Sequence, residues 1–380
     1  MKKLLAILLV PLILFSASGC ADHLNSDISN RVVLQGIGVD YEEGQYTLTI
    51  QVFNLSQASS SGAETNKNVT TLYTTRGTTI SQAANGIRQF IGKNPMYSHN
   101  RVLVVSQAAA DTGLRDILDY FIRDYSTRPS IDFAVTAGKA SEILSADFGE
   151  ATIPAEEIAN LLETQSKKAR VQVMNIVNRY IAPGIDPTAP SLEVVEGEPK
   201  DAKGVRISGV AIMQDDRICG YLDSEQAPFL LVLDGNIKQN EINIPMKEFG
   251  NVGLYIVDCK SEKDVGLRDG RPYANFNLRL RFDISELQNA PQEMTEEKLE
   301  NIRQSAEEYI EKTCGQVLEK LTRELKSDVF GIGRAMMMSE TAYFKSVTDR
   351  WREVLPMVTT SVTAEVQIRR SGHESVEINA

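Results

Sequence analysis

Two rhythms of apolar and polar residues run through this chain, one of period two and one of period three to four, and they take turns along most of its length. Val32–Asp40 is a glycine-punctuated apolar run, and beyond Glu42-Glu43-Gly44 the segment Gln45–Phe53 alternates strictly, which predicts a β-hairpin. Ala58–Asn68, rich in Ser, Gly and Asn and without a period, reads as a surface loop. Strand character resumes at Val69–Thr75. Thr79, Ile80, Ala83, Ile87, Phe90 and Ile91 then share one helical face, Arg101–Val105 reads as a buried strand, and Gly113–Tyr125 as a second amphipathic helix. Ile131–Ala137 predicts another strand, and Glu156–Lys168 and Val171–Ile181 predict two helices.

Three prolines in the eight residues Pro183–Pro190, and a polar run from Gly197 to Gly204, interrupt this regularity. The expected division is an N-terminal α+β domain over 31–190, with room for a split in two, a linker over 191–204 and a C-terminal α+β domain over 205–380. In the latter, Gly204–Met213 and Ile218–Leu222 read as a hairpin turning at Asp215-Asp216, followed by a short helix over Ser224–Leu233. Ile242–Pro245, Gly253–Lys260 and Tyr273–Ile284 add strands, the last with Phe276, Leu278, Leu280, Phe282 and Ile284 on one face. Thr295–Lys326 is the longest periodic segment, with Thr295 as N-cap and a stripe of Leu299, Ile302, Ala306, Tyr309, Thr313 or Cys314, Val317, Leu321 and Leu325, a helix expected to lie across the sheet. Tyr343–Leu355 and a closing strand Ser361–Arg369 complete the pattern. The fold class is therefore α+β, with mixed and antiparallel sheets packed with helices in two to three domains.

The first residues obey a different rule. Lys2 and Lys3 precede the apolar run Leu4–Phe15, and Ala17-Ser18-Gly19-Cys20 closes it with small residues and a cysteine. A dozen or so apolar residues fall short of the roughly 20 that a spanning helix needs. Residues 1–19 read as a removed lipoprotein signal, Cys20 as the sulfur that takes a thioether-linked diacylglycerol, and 20–30 as a polar spacer.

The net charge of −11 argues against nucleic acid and against an anionic bilayer surface as partners, so the lipid has to do the anchoring. Beyond Cys20 only Cys219, Cys259 and Cys314 remain, too far apart for a metal or redox motif, so at most one disulfide can form and three apolar thiols are the simpler expectation. His23, His99 and His373 are scattered, so no metal site is expected. Asp215 and Asp216 are adjacent carboxylates on a turn and point apart, which is no acid–base pair. Gly36-Ile37-Gly38 lacks the third glycine and following helix of a dinucleotide fingerprint, and close packing explains it better. No Gly-x-Ser-x-Gly elbow occurs. Neither an enzyme nor a bound cofactor is expected. Asp328–Gly333 reads as the stop of the long helix, with a glycine where a left-handed cap residue is wanted.

Several of these features together resemble a known family. The cysteine is followed by Gly36-Ile37-Gly38-Val39-Asp40, then Ser98-His99-Asn100-Arg101-Val102-Leu103-Val104-Val105, Ile117–Asp124 and Arg128. Farther on come Ile207-Ser208-Gly209-Val210-Ala211-Ile212, Asp215-Asp216-Arg217, Gly220-Tyr221-Leu222, Asp328–Gly333, and Trp351 before Pro356. This series is similar to that of the Ger(x)C family, the lipoprotein C-subunits of GerA-type spore nutrient germinant receptors. Beside the cysteine the family often carries Trp-Asp, whereas this chain has Ala21-Asp22-His23.

The resemblance implies a lipid-anchored, non-enzymatic subunit on the outer face of the cytoplasmic membrane, the inner membrane of the spore, in contact with integral membrane A- and B-subunits. His99, Arg101, Arg123, Asp124 and Arg128 then have two readings: a contact surface for those partners, or a buried salt bridge such as Arg123 with Asp124 or Asp119. Trp351 is likewise an interface anchor or a core residue. The alternative function, from another class, is a solute-binding lipoprotein that captures a small ligand between its domains.

Overall fold

The structure, a computed structural model, describes residues 31–53, 70–123, 130–148, 152–164, 170–196, 203–237 and 239–369. Cys20 with its leader and spacer, the Ala58–Asn68 loop, Asp124 and Arg128 lie outside the described residues. Two sheets organise the rest. The larger has nine strands. The smaller has four.

The predicted hairpin is β1 (Arg31–Glu42) and β2 (Gln45–Phe53), extended by β3 (Thr70–Gly77) on its outer side. On its other side β1 pairs in parallel with β4 (Asn94–Met96) and β5 (Val102–Ser106), β5 with β6 (Asp132–Thr136), and β6 with β7 (Thr188–Glu196). Parallel neighbours need crossovers, and the helices supply them. The helices α1 (Ile80–Ile91), α2 (Leu114–Arg123) and α5 (Val173–Ile181) pack on one face, and the shorter α3 (Ala140–Leu144) and α4 (Pro154–Thr164) on the other.

Period two explains the glycines of β1. Ile37 and Val39 point into the α1/α2 core, so Gly36 and Gly38 face α3 and α4. A Cβ on Gly36 would sit 2.8 Å from the Ala155 Cβ, and one on Gly38 3.1 Å from a Leu144 methyl. Two polar side chains finish this contact: Asp40 accepts from the amides of Ala140 (2.7 Å) and Ser141 (3.1 Å), and Gln51 donates to the Leu144 carbonyl (3.0 Å) while accepting from the Ala155 amide (2.9 Å). One side chain thus closes the end of α3 and another its start. Gly36→Val should overpack this face and lower stability by about 1–3 kcal/mol, read as a lower urea midpoint with unchanged m-value.

Where it is described, the expected linker is strand. Ser191–Glu196 belongs to β7, and β7 pairs antiparallel with β8 (Lys203–Gln214), which turns into β9 (Arg217–Asp223). The first sheet therefore crosses the expected boundary. Polar Glu193 and Glu196 obscured β7 because only its first half is buried.

In the second sheet, β10 (Glu241–Met246), β11 (Gly250–Arg268) and β12 (Arg271–Leu287) are antiparallel, and β13 (Thr359–Ile368) joins β12 in parallel. The inner face carries Phe276, Leu278, Leu280 and Phe282 as the alternation predicts, covered by α6 (Ala227–Leu233) and the long α7 (Glu296–Glu319). Thr295 caps α7, accepting from the Lys298 amide. Its buried stripe is Ile302, Ala306, Ile310, Cys314, Val317, Leu318 and Leu321, so Ile310 takes the place expected for Tyr309. The helix also shields the free edge of β13, where Glu311 and Glu307 accept from the amides of Ala364 (2.8 Å) and Val366 (3.0 Å). It ends differently from the expectation: a π-turn over Lys320–Glu324 leads to Lys326, which takes the positive φ of 49°. Gly331 instead opens the next helix, α8 (Ile332–Ser339). Among the described residues no helix is long and apolar enough to cross a membrane.

Candidate functional site at the junction of the two sheets

The β8–β9 hairpin serves both cores. Ala211, Met213 and Ile218 face the first, and Ile212 and Leu222, alternating with them, face the second. Where the hairpin turns, two irregular segments meet, the proline-rich Pro183–Pro187 and the stretch Ser327–Gly331 between α7 and α8.

Asp328 is the centre of this meeting and is 2% exposed. Its Oδ1 accepts from the Ile332 amide (2.7 Å), and its Oδ2 from the Gly333 amide (2.7 Å) and the Trp351 indole Nε1 (2.9 Å). The two amides open α8, where a negative charge is favoured by the unpaired N–H groups. Burial pushes the Asp328 carboxyl up to about 6, against the pull of these three donors, and the neighbouring Asp186 carboxylate adds to the rise. Asp186 and Asp328 also exchange backbone contacts: the Asp186 amide donates to the Asp328 carbonyl (2.8 Å), and the Asp328 amide to the Asp186 carboxylate (2.7 Å).

Arg352 closes the outer side, with its guanidinium on both Asp186 oxygens (3.2 and 3.1 Å) and on Asp215 (2.8 Å). Arg179, from α5, donates through Nη1 to the carbonyls of Asp186 (3.0 Å) and Val329 (2.9 Å), and Lys263 of β11 donates to that of Phe330. Ser327 donates to the Met213 carbonyl (2.8 Å), tying in the hairpin. Backbones touch as well. The Arg334 amide donates to the Gly184 carbonyl (3.0 Å), and a Cβ on Gly184 would fall 2.6 Å from the Gly333 carbonyl carbon.

The residues singled out from sequence are distributed otherwise. His99 and Arg101 are exposed at the entry to β5, where the Arg101 amide bonds to Gln35 and its carbonyl to the Asp132 amide. Arg123 pairs with Asp119 at 2.6 Å, but their side chains are 78% and 50% exposed, so this is a surface pair within one helix and not a buried bridge. The buried carboxylate of this region is Asp132, held by Arg170 with Nη2 to Oδ2 at 2.8 Å. Burial raises the Asp132 carboxyl, and Arg170 pulls it back. Trp351 is a core residue, its ring edge-on to Phe344 at 5.3 Å between centroids. Asp215 lies on the predicted turn and points to Arg352, while the Asp216 carbonyl accepts from Leu114 at the start of α2 (2.7 Å).

Sequence reasoning passed over Asp186, Arg179 and Arg352. Their signals were an aspartate between prolines and an arginine beside the lone tryptophan. Cys219, Cys259 and Cys314 form no disulfide, and burial pushes the Cys219 thiol up to about 11. Among the described residues no group of three or more His, Cys, Asp or Glu is placed to hold a metal.

This two-part architecture has relatives. Residues 25–194 match the family described as "Spore germination protein N-terminal domain", and residues 208–372 match "Spore germination B3/ GerAC like, C-terminal". The chain belongs to the Ger(x)C family of spore germination proteins. It is 21% identical over 380 residues to the "Putative spore germination protein YfkR" of Bacillus subtilis (strain 168), covering 98% of each chain. To "Spore germination protein B3" of the same organism it is 22% identical over 351 residues, covering 90% of this chain and 91% of the relative. Among solved structures, the crystal structure of the GerBC protein superposes with a TM-score of 0.58 at 18% identity, covering 88% of this chain and 96% of that one, which shows a shared fold. The first Ger(x)C match ends within β7 and the second begins within β8. Asp186 falls in the first and Asp328, Trp351 and Arg352 in the second, so the junction joins one family domain to the other.

Proposed function

We propose that this protein is the lipid-anchored C-subunit of a spore nutrient germinant receptor, working without catalysis through contact with integral membrane A- and B-subunits. The observation that carries this reading is the pair of Ger(x)C domains, in order, behind a leader that ends in Ala17-Ser18-Gly19-Cys20. A diacylglycerol thioether on Cys20 holds the chain on the outer face of the cytoplasmic membrane, because its buried methylenes contribute about 0.8 kcal/mol each. The chemistry of the junction supports a non-enzymatic role. Its carboxylates are engaged by backbone amides, an indole and Arg352, an arrangement that fixes two domains to each other, as a contact subunit requires.

The test is Cys20→Ala in the spore-forming host. The natural protein should carry acyl chains by mass spectrometry of its N-terminal peptide, sediment with membranes, co-purify with two membrane subunits and support nutrient response. The variant should lose all four. A Cys20→Ala protein that stays on the membrane and restores full germination would refute the tether.

A further inference from the structure

Between α5 of the first domain and α6 of the second lies a cleft of about 290 Å³. Ile176, Ile207, Leu230 and Leu231 give it an apolar wall, and two arginines, Arg170 and Arg179, reach its lining. They differ in what they already hold. Arg170 is taken up by Asp132, with Glu163 at 3.8 Å behind it. Arg179 is fastened to the junction by one nitrogen, Nη1, through two backbone carbonyls. Its Nε and Nη2 make no hydrogen bond to any described residue, and neither belongs to the buried atoms left without a partner, so both keep some exposure; Arg179 lines this cleft on one side and the hollow beside Asp186 and Arg352 on the other.

Three carboxylates act on Arg179 through their fields, Asp234, Asp328 and Asp186. Each is engaged elsewhere: Asp328 by two amides and Trp351, Asp186 by Arg352 and the Asp328 amide, and Asp234 by Asn236. Burial pushes the Arg179 guanidinium down, and the neighbouring Arg334 adds to this against the pull of the three carboxylates. A half-buried guanidinium with a free two-nitrogen edge, set against an apolar wall, matches a planar carboxylate on an apolar body. Phosphate fits less well, because Arg170 is already taken up by Asp132 and a dianion would be repelled by Asp234 at the exposed rim. At roughly 30 Å³ per non-hydrogen atom, the share of a water in the liquid, the cleft admits a molecule of about ten such atoms.

We propose that this interdomain cleft binds a small organic carboxylate with a short branched apolar chain, its carboxylate on the Nε/Nη2 edge of Arg179 and its chain on Ile176, Ile207, Leu230 and Leu231. The site does not depend on the tether, so either reading can fail without the other. Because Val329 and Phe330 also line the cleft and adjoin Asp328, its occupancy bears on the contact between the two domains.

The test is calorimetric titration of the full-length protein in detergent micelles with isocaproate and with isocaproamide, its uncharged isostere. Isocaproate should bind saturably and the amide at least about tenfold more weakly, since it forfeits the charge-assisted pair. Arg179 also holds the junction, so the cleft is blocked by Ala227→Leu instead, which should abolish isocaproate binding. Asp234→Asn, at the exposed rim, should tighten it roughly two- to fivefold by removing a like charge. Absence of saturable binding, equal affinity for acid and amide, or unchanged binding in Ala227→Leu would each overturn the proposal.

Discussion

Asp328→Ala is expected to lower stability by about 4 kcal/mol and to expose the indole of Trp351. Three donors, the amides of Ile332 and Gly333 and the Trp351 Nε1, converge on this carboxylate, and none has another acceptor at the junction. A buried donor left unsatisfied costs about 1–3 kcal/mol. The site cannot flood easily, because a Cβ on Gly333 would already lie 2.7 Å from that same indole nitrogen. Trp351 is the only tryptophan, so its fluorescence reports on this point alone: the variant should emit at longer wavelength before global unfolding, and its urea midpoint should fall. Asp328→Asn keeps the shape but must turn one NH2 toward an N–H donor, since both carboxylate oxygens accept, and an intermediate loss of about 2 kcal/mol follows. A midpoint within about 1 kcal/mol of wild type for Asp328→Ala would show that the junction is held by apolar packing alone.

That hub illustrates where the sequence is silent. The β1–β2 hairpin, the inner face of β12 and the Thr295 cap of α7 are local, and periodicity or one capping residue specifies each. Asp186 and Asp328 are 142 positions apart, and Arg352 lies 166 beyond Asp186. Nothing in the neighbourhood of an aspartate between prolines says that its carboxylate will cap a distant loop. The second half of β11 was hidden for a related reason. Ser261, Glu262, Lys263 and Asp264 break the apolar alternation, yet Glu262 pairs with Arg279 across the ladder and Lys263 reaches the Phe330 carbonyl. Cross-strand partners, not burial, hold that stretch. Conversely, His99, Arg101 and Arg123 drew attention as charges beside apolar runs, and all three are exposed, as isolated charges at element ends usually are.

Gly209→Ala is expected to be more damaging than a methyl added at any other described glycine. Gly209 sits in β8 with φ of 148°, a conformation that side chains rarely adopt, and an added Cβ would lie 2.0 Å from the Leu222 carbonyl oxygen and 3.0 Å from the Asp223 Cα. Those are backbone atoms of β9, so no rotamer change relieves the clash and the hairpin must open. The hairpin in turn carries residues of both cores, Met213 and Ile218 on one side and Ile212 and Leu222 on the other, so opening it separates the family's two domains as well as two strands. A loss above about 4 kcal/mol follows from combined strain and lost packing, enough to keep the variant from accumulating in folded form. Gly204→Ala in the same strand is the control, since its Cβ would meet nothing nearer than a Val195 methyl at 3.8 Å. Soluble yield and urea midpoint should be near wild type for Gly204→Ala and collapse for Gly209→Ala. If the two variants behaved alike, β8 and β9 would not be held as closely as the structure places them, and the coupling of the domains through this hairpin would have to be given up.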